Sequence, residues 1–446
     1  MYVDTRRIEG TKFEAPLLQF DYESSSQVAY SPYRGLCAFG PYDKHIRRFG
    51  KISMLVIAPD SKIESMQTLT DLLKEGWSIY PGFERIFGVR LSAEFASFKT
   101  KKDKTLVGLS RRYEHQIMNI LREVRIENYD IALVGIPWSP RENISTPYYR
   151  SKAVLTASGL PSQMITWEVL NDPSRLRYSL MNIAIAIYTK VGGRPWALAP
   201  HPNIQIVDCF IGIGMALRSL SRIGYKLRYV GFANIFRENG CYVLTTGVPG
   251  VIEYKKYLEE IGEKISDAIS EYERVVGKKP RSIIIHNYKR TSRKERKTIV
   301  EALSSQLGSD FEYAIVRVTD APAVRIFDFD HRSMATEPGV CVPYSAKAAI
   351  VTTTGRRDDR SPLGTPVPIY ISIEEQSPSR PFSILSIAQQ VYYLSKIYWG
   401  GVSTVQREPV TTKYARLLAS MMLGMWGDEW NRAISNQRLA DKAWFI

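Results

Sequence analysis

Apolar runs of strand length alternate with helix-period stretches through the first half of the chain. The turn Gly40-Pro41-Tyr42-Asp43 opens this half and leads into an apolar strand at 52–57. Helices are predicted at 63–74 and at 111–124, the second with apolar positions Ile117, Ile120, Leu121 and Val124 on one stripe. A buried strand at 131–135 follows, and then Thr146-Pro147, a capping residue and a proline where a helix begins, with Gly159 to stop it. An extended run at 163–169 precedes a helix capped by Asp172-Pro173 that carries Asn182 and ends at Lys190. Strands alternating with helices predict a Rossmann-like parallel sheet covered on both faces, with ligands at the carboxyl ends of its strands.

The order changes after Arg194-Pro195-Trp196. Three extended runs come in succession, at 204–215, 226–236 and 241–247, with turn signals at Gly224 and at Asn239-Gly240. A long helix at 251–276, a strand at 282–286, a helix opening on the capping box Ser292–Glu295, and a strand at 311–318 come next. Residues 325–373 are strand-rich, and helices at 381–398 and 412–425 complete the pattern. Residues 1–40 show little periodicity and read as an N-terminal arm over the surface.

Composition narrows the partner. In 446 residues, 60 Lys and Arg stand against 45 Asp and Glu, a net charge of +15 that points to a polyanion. The start has no signal-peptide core, and no run approaches the ~20 apolar residues of a spanning helix. Cys37, Cys209, Cys241 and Cys341 lie far apart with no CxxC, and read as buried free thiols in a reducing cytoplasm.

The chemistry concentrates between Tyr148 and Lys190. Tyr148 and Lys152 are one turn apart near a helix N-terminus, Gln163 sits at the mouth of a strand, and Asn182 and Lys190 share a stripe two turns long. Singly, each reads as a solvated polar position on an amphipathic element. Together they suit a terminal phosphate. In this order they resemble the tyrosine-lysine, glutamine, lysine series with which the MID domain of Argonaute proteins grips the 5′ phosphate of a guide strand. The segment SLMNIAIAIYTKVGGRPWAL and the pair YYLSKIYWGG and KYARLLAS resemble that family too. The resemblance implies a short prokaryotic Argonaute: a MID domain at 41–197 followed by an RNase H-like PIWI domain at 198–446.

The same resemblance implies a degenerate active site. An RNase H-like nuclease needs carboxylates to hold two metal ions ~4 Å apart. Where the family places them, this chain has Gly214, the turn Asn287-Tyr288-Lys289, and Arg416. No catalytic residue is therefore expected. Asp208, Asp320, Asp328 and Asp330 share no spacing that would converge as substitutes, and a lone His286 at a strand end reads as structure.

Nine of the twenty residues from 278 to 297 are Lys or Arg, a run suited to strand phosphates without reading sequence. Lys289 and Arg290 are taken from it as backbone contacts, and Arg407 and Lys413 as contacts to the first guide phosphates. The resemblance also places the terminal carboxylate of Ile446 with Gln163 as ligands of a Mg²⁺ ion beside the guide phosphate, with Trp444-Phe445 as the anchor of the tail. It implies guide and target strands as partners, and a separate protein supplying a PAZ-like segment and an effector. The chain is thus expected to bind guide and target without cutting. The rival is an active RNase H-like nuclease with rearranged carboxylates. A doubly wound nucleotide-binding enzyme is a weaker third, with no GxGxxG or Walker loop behind it.

Overall fold

The computed structural model describes residues 9–100, 105–138, 145–201, 204–205, 207–219, 226–247, 254–321, 323–356, 365–403, 405–425 and 427–446. The predicted turn at Gly224 and the first residues of the helix predicted from 251 lie outside these.

The chain begins with β1 (Thr11–Lys12), β2 (Leu18–Gln19), β3 (Val28–Ala29) and α1 (Pro32–Phe39). This segment is woven into the molecule, contrary to the reading of an arm over its surface. β1 pairs antiparallel with Val340–Cys341, and β2 pairs with both β3 and Ala197–Leu198. Leu18, Phe20 and Leu36 are fully buried. A Cβ on Gly35 would lie 2.1 Å from the Phe20 ring, so α1 closes over that ring only because position 35 has no side chain. Cys37 on α1 is exposed, against expectation, whereas Cys209, Cys241 and Cys341 are buried free thiols.

A four-stranded parallel sheet follows. Its elements are β4 (Lys51–Pro59), α2 (Ile63–Glu75), α3 (Phe83–Phe87), β5 (Arg90–Phe98), α4 (Leu106–Glu123), β6 (Ile131–Ile136), α5 (Pro147–Ala157), β7 (Ser162–Thr166), α6 (Trp167–Leu170) and α7 (Pro173–Lys190). The strand order is β5-β4-β6-β7, all parallel. β6 is buried on both faces, Ile131 and Leu133 toward one core and Ala132, Val134 and Ile136 toward another. That explains its unbroken apolar sequence. β5 gave no strand signal because it is a half-exposed edge, and the extended run predicted through 169 ends at Thr166, where α6 begins.

β8 (Ala197–Leu198) leads into β9 (Cys209–Ser219), β10 (Lys226–Arg237), β11 (Tyr242–Gly247), α8 (Tyr254–Val276), β12 (Ser282–Asn287), α9 (Arg293–Leu307), β13 (Glu312–Asp320), β14 (Val340–Ser345), β15 (Ala348–Val351), β16 (Ile369–Gln376), α10 (Ile384–Leu394), α11 (Val410–Gly424) and α12 (Gly427–Ile434). Nine strands form one mixed sheet in the order β1-β14-β15-β16-β13-β12-β9-β10-β11. β9, β12 and β13 are parallel, and the other pairings are antiparallel. Three antiparallel strands followed by strand–helix alternation is the predicted order. α8 and α9 cover one face, α10 and α11 the other. α11 rests on β9 at Gly212, where a Cβ would lie 2.3 Å from the Thr411 carbonyl oxygen. The capping box of α9 forms as expected.

The two parts meet along a seam of aromatic residues. Trp196 is fully buried, its Nε1 donates to the Lys396 carbonyl at 3.3 Å, and Trp399 Nε1 donates to the Trp196 carbonyl at 3.1 Å. The Gly40–Asp43 turn closes the same seam. Buried Asp43 accepts from the Tyr188 hydroxyl and, at 2.9 Å, from the Arg194 N–H. Among the described residues no helix is long and apolar enough to cross a membrane.

Candidate nucleic-acid interface

Pro147 at the first helical position sets the direction of α5, and its N-terminal turn faces the carboxyl ends of β6 and β7. Tyr148, Lys152, Gln163, Asn182 and Lys190 all line one cavity of about 620 Å³. Tyr398, Leu417, Phe445 and Ile446 close it from the other side. No Asp or Glu side chain contributes to its described lining. Lys152 and Lys190 are each 1% exposed. Lys190 Nζ donates to the Ser162 carbonyl at 2.9 Å and to Gln163 Oε1 at 2.6 Å. Burial, and then the neighbouring charge of Lys152, hold its pKa well below the ordinary lysine value. Lys152 Nζ lies 5.6 Å from the Tyr148 ring centre and donates to the main-chain oxygen of Ile446, the last residue, at 3.4 Å. With two buried amines, and the main-chain oxygen of Ile446 but no Asp or Glu side chain in its described lining, the cavity can hold an anion.

Sequence reasoning missed what holds α5 in place. Arg150, two residues from both Tyr148 and Lys152, is buried between Glu114 of α4 and Glu429 of α12. Its guanidinium makes paired contacts to each carboxylate, at 2.6 and 3.1 Å to Glu114 and 2.7 and 2.9 Å to Glu429. Such double forks fix orientation as well as position. The partners lie 36 residues before and 279 after Arg150, so no local spacing announces them.

Asn182 has a second task. Its Oδ1 accepts the Val402 N–H at 2.9 Å, and Gly401 approaches so closely that a Cβ there would lie 2.8 Å from that oxygen. It therefore stitches the Trp399-Gly-Gly turn to α7. Lys413 Nζ lies 5.1 Å from the ring centre of Tyr398, which lines the cavity. Ile446 is placed by its neighbour Phe445, which packs edge-on against Tyr414 at 5.2 Å and Tyr242 at 5.9 Å.

A second cavity, of about 370 Å³, lies at the carboxyl ends of β12 and β13, beside Gly214 in the middle of β9. Gly214, Tyr288 and Arg416 line it together, as their positions in the sequence implied. Asp320 and Glu408 line it too, and each carries an arginine. Arg407 is 2.8 Å from Asp320, and Arg416 Nε contacts both Glu408 oxygens at 3.0 and 3.1 Å. Arg407 is thereby placed beside this cavity, away from the lining of the lysine cavity. Asp208 sits at the opposite end of β12, accepting the N–H groups of Arg281 and Ser282 at 2.9 and 3.2 Å. Asp328 pairs with Arg356 at 2.6 Å. Among the described residues no three His, Cys, Asp or Glu side chains form a metal-binding group.

The basic run does not make one face. Lys278, Lys279 and Arg281 stand at one end of β12, and the residues from Lys289 onward at the other. Lys289 Nζ is 2.6 Å from buried Glu295, an ion pair that seats the α9 capping box. Arg290 is exposed and borders a third cavity.

His286 is structural, as its position suggested. Its Nδ1 is 2.8 Å from the Thr411 hydroxyl, and complete burial pushes its pKa down from 6.5 to about 3. The imidazole stays neutral in the fold and takes up a proton only on unfolding. Its contribution to stability is thus whole above pH 6.5 and is lost as pH falls toward 3, at about 1.4 kcal/mol per pH unit. Chemical denaturation between pH 7 and 4 is expected to show this extra slope in the wild type and not in His286→Gln; equal slopes would disprove it.

Residues 139–426 match the Piwi domain family. The chain is 23% identical over 455 aligned positions to the protein argonaute of Cereibacter sphaeroides, covering 96% of this chain and 58% of that relative. It is 22% identical to the Piwi protein of Archaeoglobus fulgidus, with 93% of each chain covered. Its fold is similar to that of Clostridium butyricum Argonaute, solved with a guide DNA and a 19-mer target DNA. The TM-score is 0.72 at 21% identity, over 94% of this chain and 53% of that one. It is likewise similar to A. aeolicus Argonaute, with a TM-score of 0.65 at 17% identity over 94% and 54% of the two chains. The chain thus spans little more than half the length of the Argonautes it matches. The Piwi match takes in α5, most of the lining of the lysine cavity and most of the nine-stranded RNase H-like sheet, and on that ground the chain belongs to the Piwi domain family.

Proposed function

We propose that this chain is a guide-directed nucleic-acid-binding protein of the Argonaute kind, with a MID domain at 41–197 that takes the guide 5′ phosphate and a PIWI domain at 198–446 that holds the strands without cutting. The observation that carries this reading is the convergence of Tyr148, Lys152, Gln163 and Lys190 in one cavity with no acidic side chain in its described lining. A phosphate there sets negative charge beside two buried lysines, and favours the charged form of Lys190. The cavity also suits a Mg²⁺ ion brought in by the phosphate. Gln163 Oε1 and the Ile446 oxygen are the protein's oxygen donors, and the ion would offset charge on the phosphate. The nearby lysines are unfavourable to a cation arriving alone.

Each lysine contact to a phosphate contributes ~1.5–3 kcal/mol when charge-assisted and partly buried. Lys152→Ala with Lys190→Ala is therefore expected to remove most of the preference for 5′-phosphate over 5′-hydroxyl guides, on the order of 3 kcal/mol or over a hundredfold. Competition binding at fixed salt and Mg²⁺ measures it. A double variant that keeps the wild-type ratio would place the guide end elsewhere.

The absence of cutting rests on the second cavity. Two-metal catalysis requires carboxylates available to the ions, and here Asp320 and Glu408 are each engaged by an arginine. With a phosphorylated guide, a complementary target and Mn²⁺, we expect binding and intact target. The rival nuclease with rearranged carboxylates would use Asp320. Guide-dependent cleavage lost in Asp320→Ala decides for it.

The same reading assigns the chain a separate partner protein that supplies a PAZ-like segment and an effector activity. Co-purification at native expression should recover one defined second protein in fixed ratio. Recovery of the chain alone, still conferring defence against invading nucleic acid, would refute that assignment.

A further inference from the structure

The turn after β12 separates two cavities. Tyr288 lines the one shared with Gly214 and Arg416, while Arg290 lines another of about 380 Å³. On β13, Val316 and Val318 pack into the core under α10 and α11 and Ile315 into the core under α8 and α9, so side-chain alternation puts Arg317, which borders the second cavity, on the face opposite Val318, which borders the first. The Arg317 position lies between Asn287 of β12 and Ser372 of β16, near the carboxyl end of the parallel strands. Its guanidinium carbon is 5.9 Å from the ring centre of Tyr370, which lines the same cavity.

Arg317 is the unusual residue here. Its Nε is shielded from solvent with no hydrogen-bond acceptor among the described residues, and no described carboxylate pairs with its charge. The neighbouring arginine is handled differently. Arg296 is 2.9 Å from Glu375, while Glu374 accepts the Thr291 N–H at 2.7 Å. Three guanidinium groups, Arg290, Arg296 and Arg317, thus face two carboxylates, Glu374 and Glu375. The surplus is one positive charge, held by groups that present fixed pairs of N–H donors. One negative charge spread over two oxygens is the chemistry of a phosphodiester.

We propose that Arg317 and Arg290 form a phosphodiester subsite for a nucleic-acid strand, on the sheet face opposite the cavity of Gly214, Tyr288 and Arg416. The proposal rests on the nucleic-acid reading above and adds to it a contact that is independent of the 5′-phosphate cavity. A half-buried arginine without a counter-charge is a standing cost to the fold, of the kind retained where a ligand supplies the missing charge.

The test uses the full chain, Arg317→Met and Arg290→Ala, and a 5′-hydroxyl single-stranded oligonucleotide that bypasses the lysine cavity. Arg317→Met is expected to bind it about tenfold more weakly at low salt. The slope of log affinity against log salt should fall by ~0.7, the value for one phosphate contact on a single strand. Arg290→Ala, on an exposed residue, should move both in the same direction by less. The ratio of 5′-phosphate to 5′-hydroxyl binding stays at the wild-type value in both variants, and the melting temperature of Arg317→Met is at or above that of the wild type. Unchanged affinity and slope in both variants overturn the proposal, as does a lower melting temperature in Arg317→Met, which would make the arginine structural. A thermal shift by inorganic phosphate that depends on Arg317, with strand binding unaffected, overturns the strand assignment in favour of a free anion. Failure of the wild type to bind any oligonucleotide sinks the nucleic-acid reading itself, a result distinct from these.

Discussion

Burying Lys152 and Lys190 in one cavity is the constraint around which this molecule is arranged. Two amines out of water beside each other are unfavourable unless oxygen atoms are fixed around them. The fold supplies those atoms from distant places. Ser162 and Gln163 come from the mouth of β7, and the Ile446 oxygen from the other end of the chain. Each in turn is held by contacts from elsewhere in the fold, aromatic for the tail and ionic for α5. Phe445 is gripped by Tyr414 and Tyr242, and α5 is fixed by the forks of Arg150 to Glu114 and Glu429. The lysine cavity is therefore a product of the seam between the two sheets, and neither part makes it alone.

The nine-stranded sheet repeats the logic at its carboxyl edge. Parallel β12 ends between β9 and β13, which both run on past it, and the turn at Tyr288–Arg290 that follows stands between two cavities. On one side arginine and carboxylate are matched pair by pair, Arg407 with Asp320 and Arg416 with Glu408. On the other, one guanidinium is left over. A charge-balanced cavity and a cation-rich cavity, a strand apart, give the same edge two different electrostatic characters. Close approach shapes the charge-balanced side: α11, which carries Arg416, reaches β9 only because Gly212 has no side chain to keep Thr411 away.

Most of the architecture was legible in the sequence, because strands buried on both faces and helices with clear caps carry their own signals. β6 is such a strand, and Pro147, Asp172 and Ser292 set their helix starts as read. The N-terminal segment was not legible. Its strands are two residues long, too short for any period, and they are stabilised by partners nearly two hundred to more than three hundred residues away. β5 escaped notice for a related reason, since a half-exposed edge lacks the alternation that a one-sided strand shows.

The sequence by itself determined the residue types of the candidate site: tyrosine, lysine, glutamine and lysine at spacings that helices and a strand mouth bring to one end of a parallel sheet. It also determined that Gly214, the turn Asn287-Tyr288-Lys289 and Arg416 carry no carboxylate. Only the tertiary structure decided which charges are matched. Lys289 and Arg290 are adjacent in the chain, yet one is neutralised by buried Glu295 and the other borders a cavity. Arg317 and Arg296 line the same space, yet only Arg296 has a carboxylate, Glu375, for a partner. The reason is physical. Helix and strand periodicity fixes which face a side chain takes, within a few residues, whereas the counter-charge it meets there comes from an element whose distance along the chain sets no pattern in the sequence.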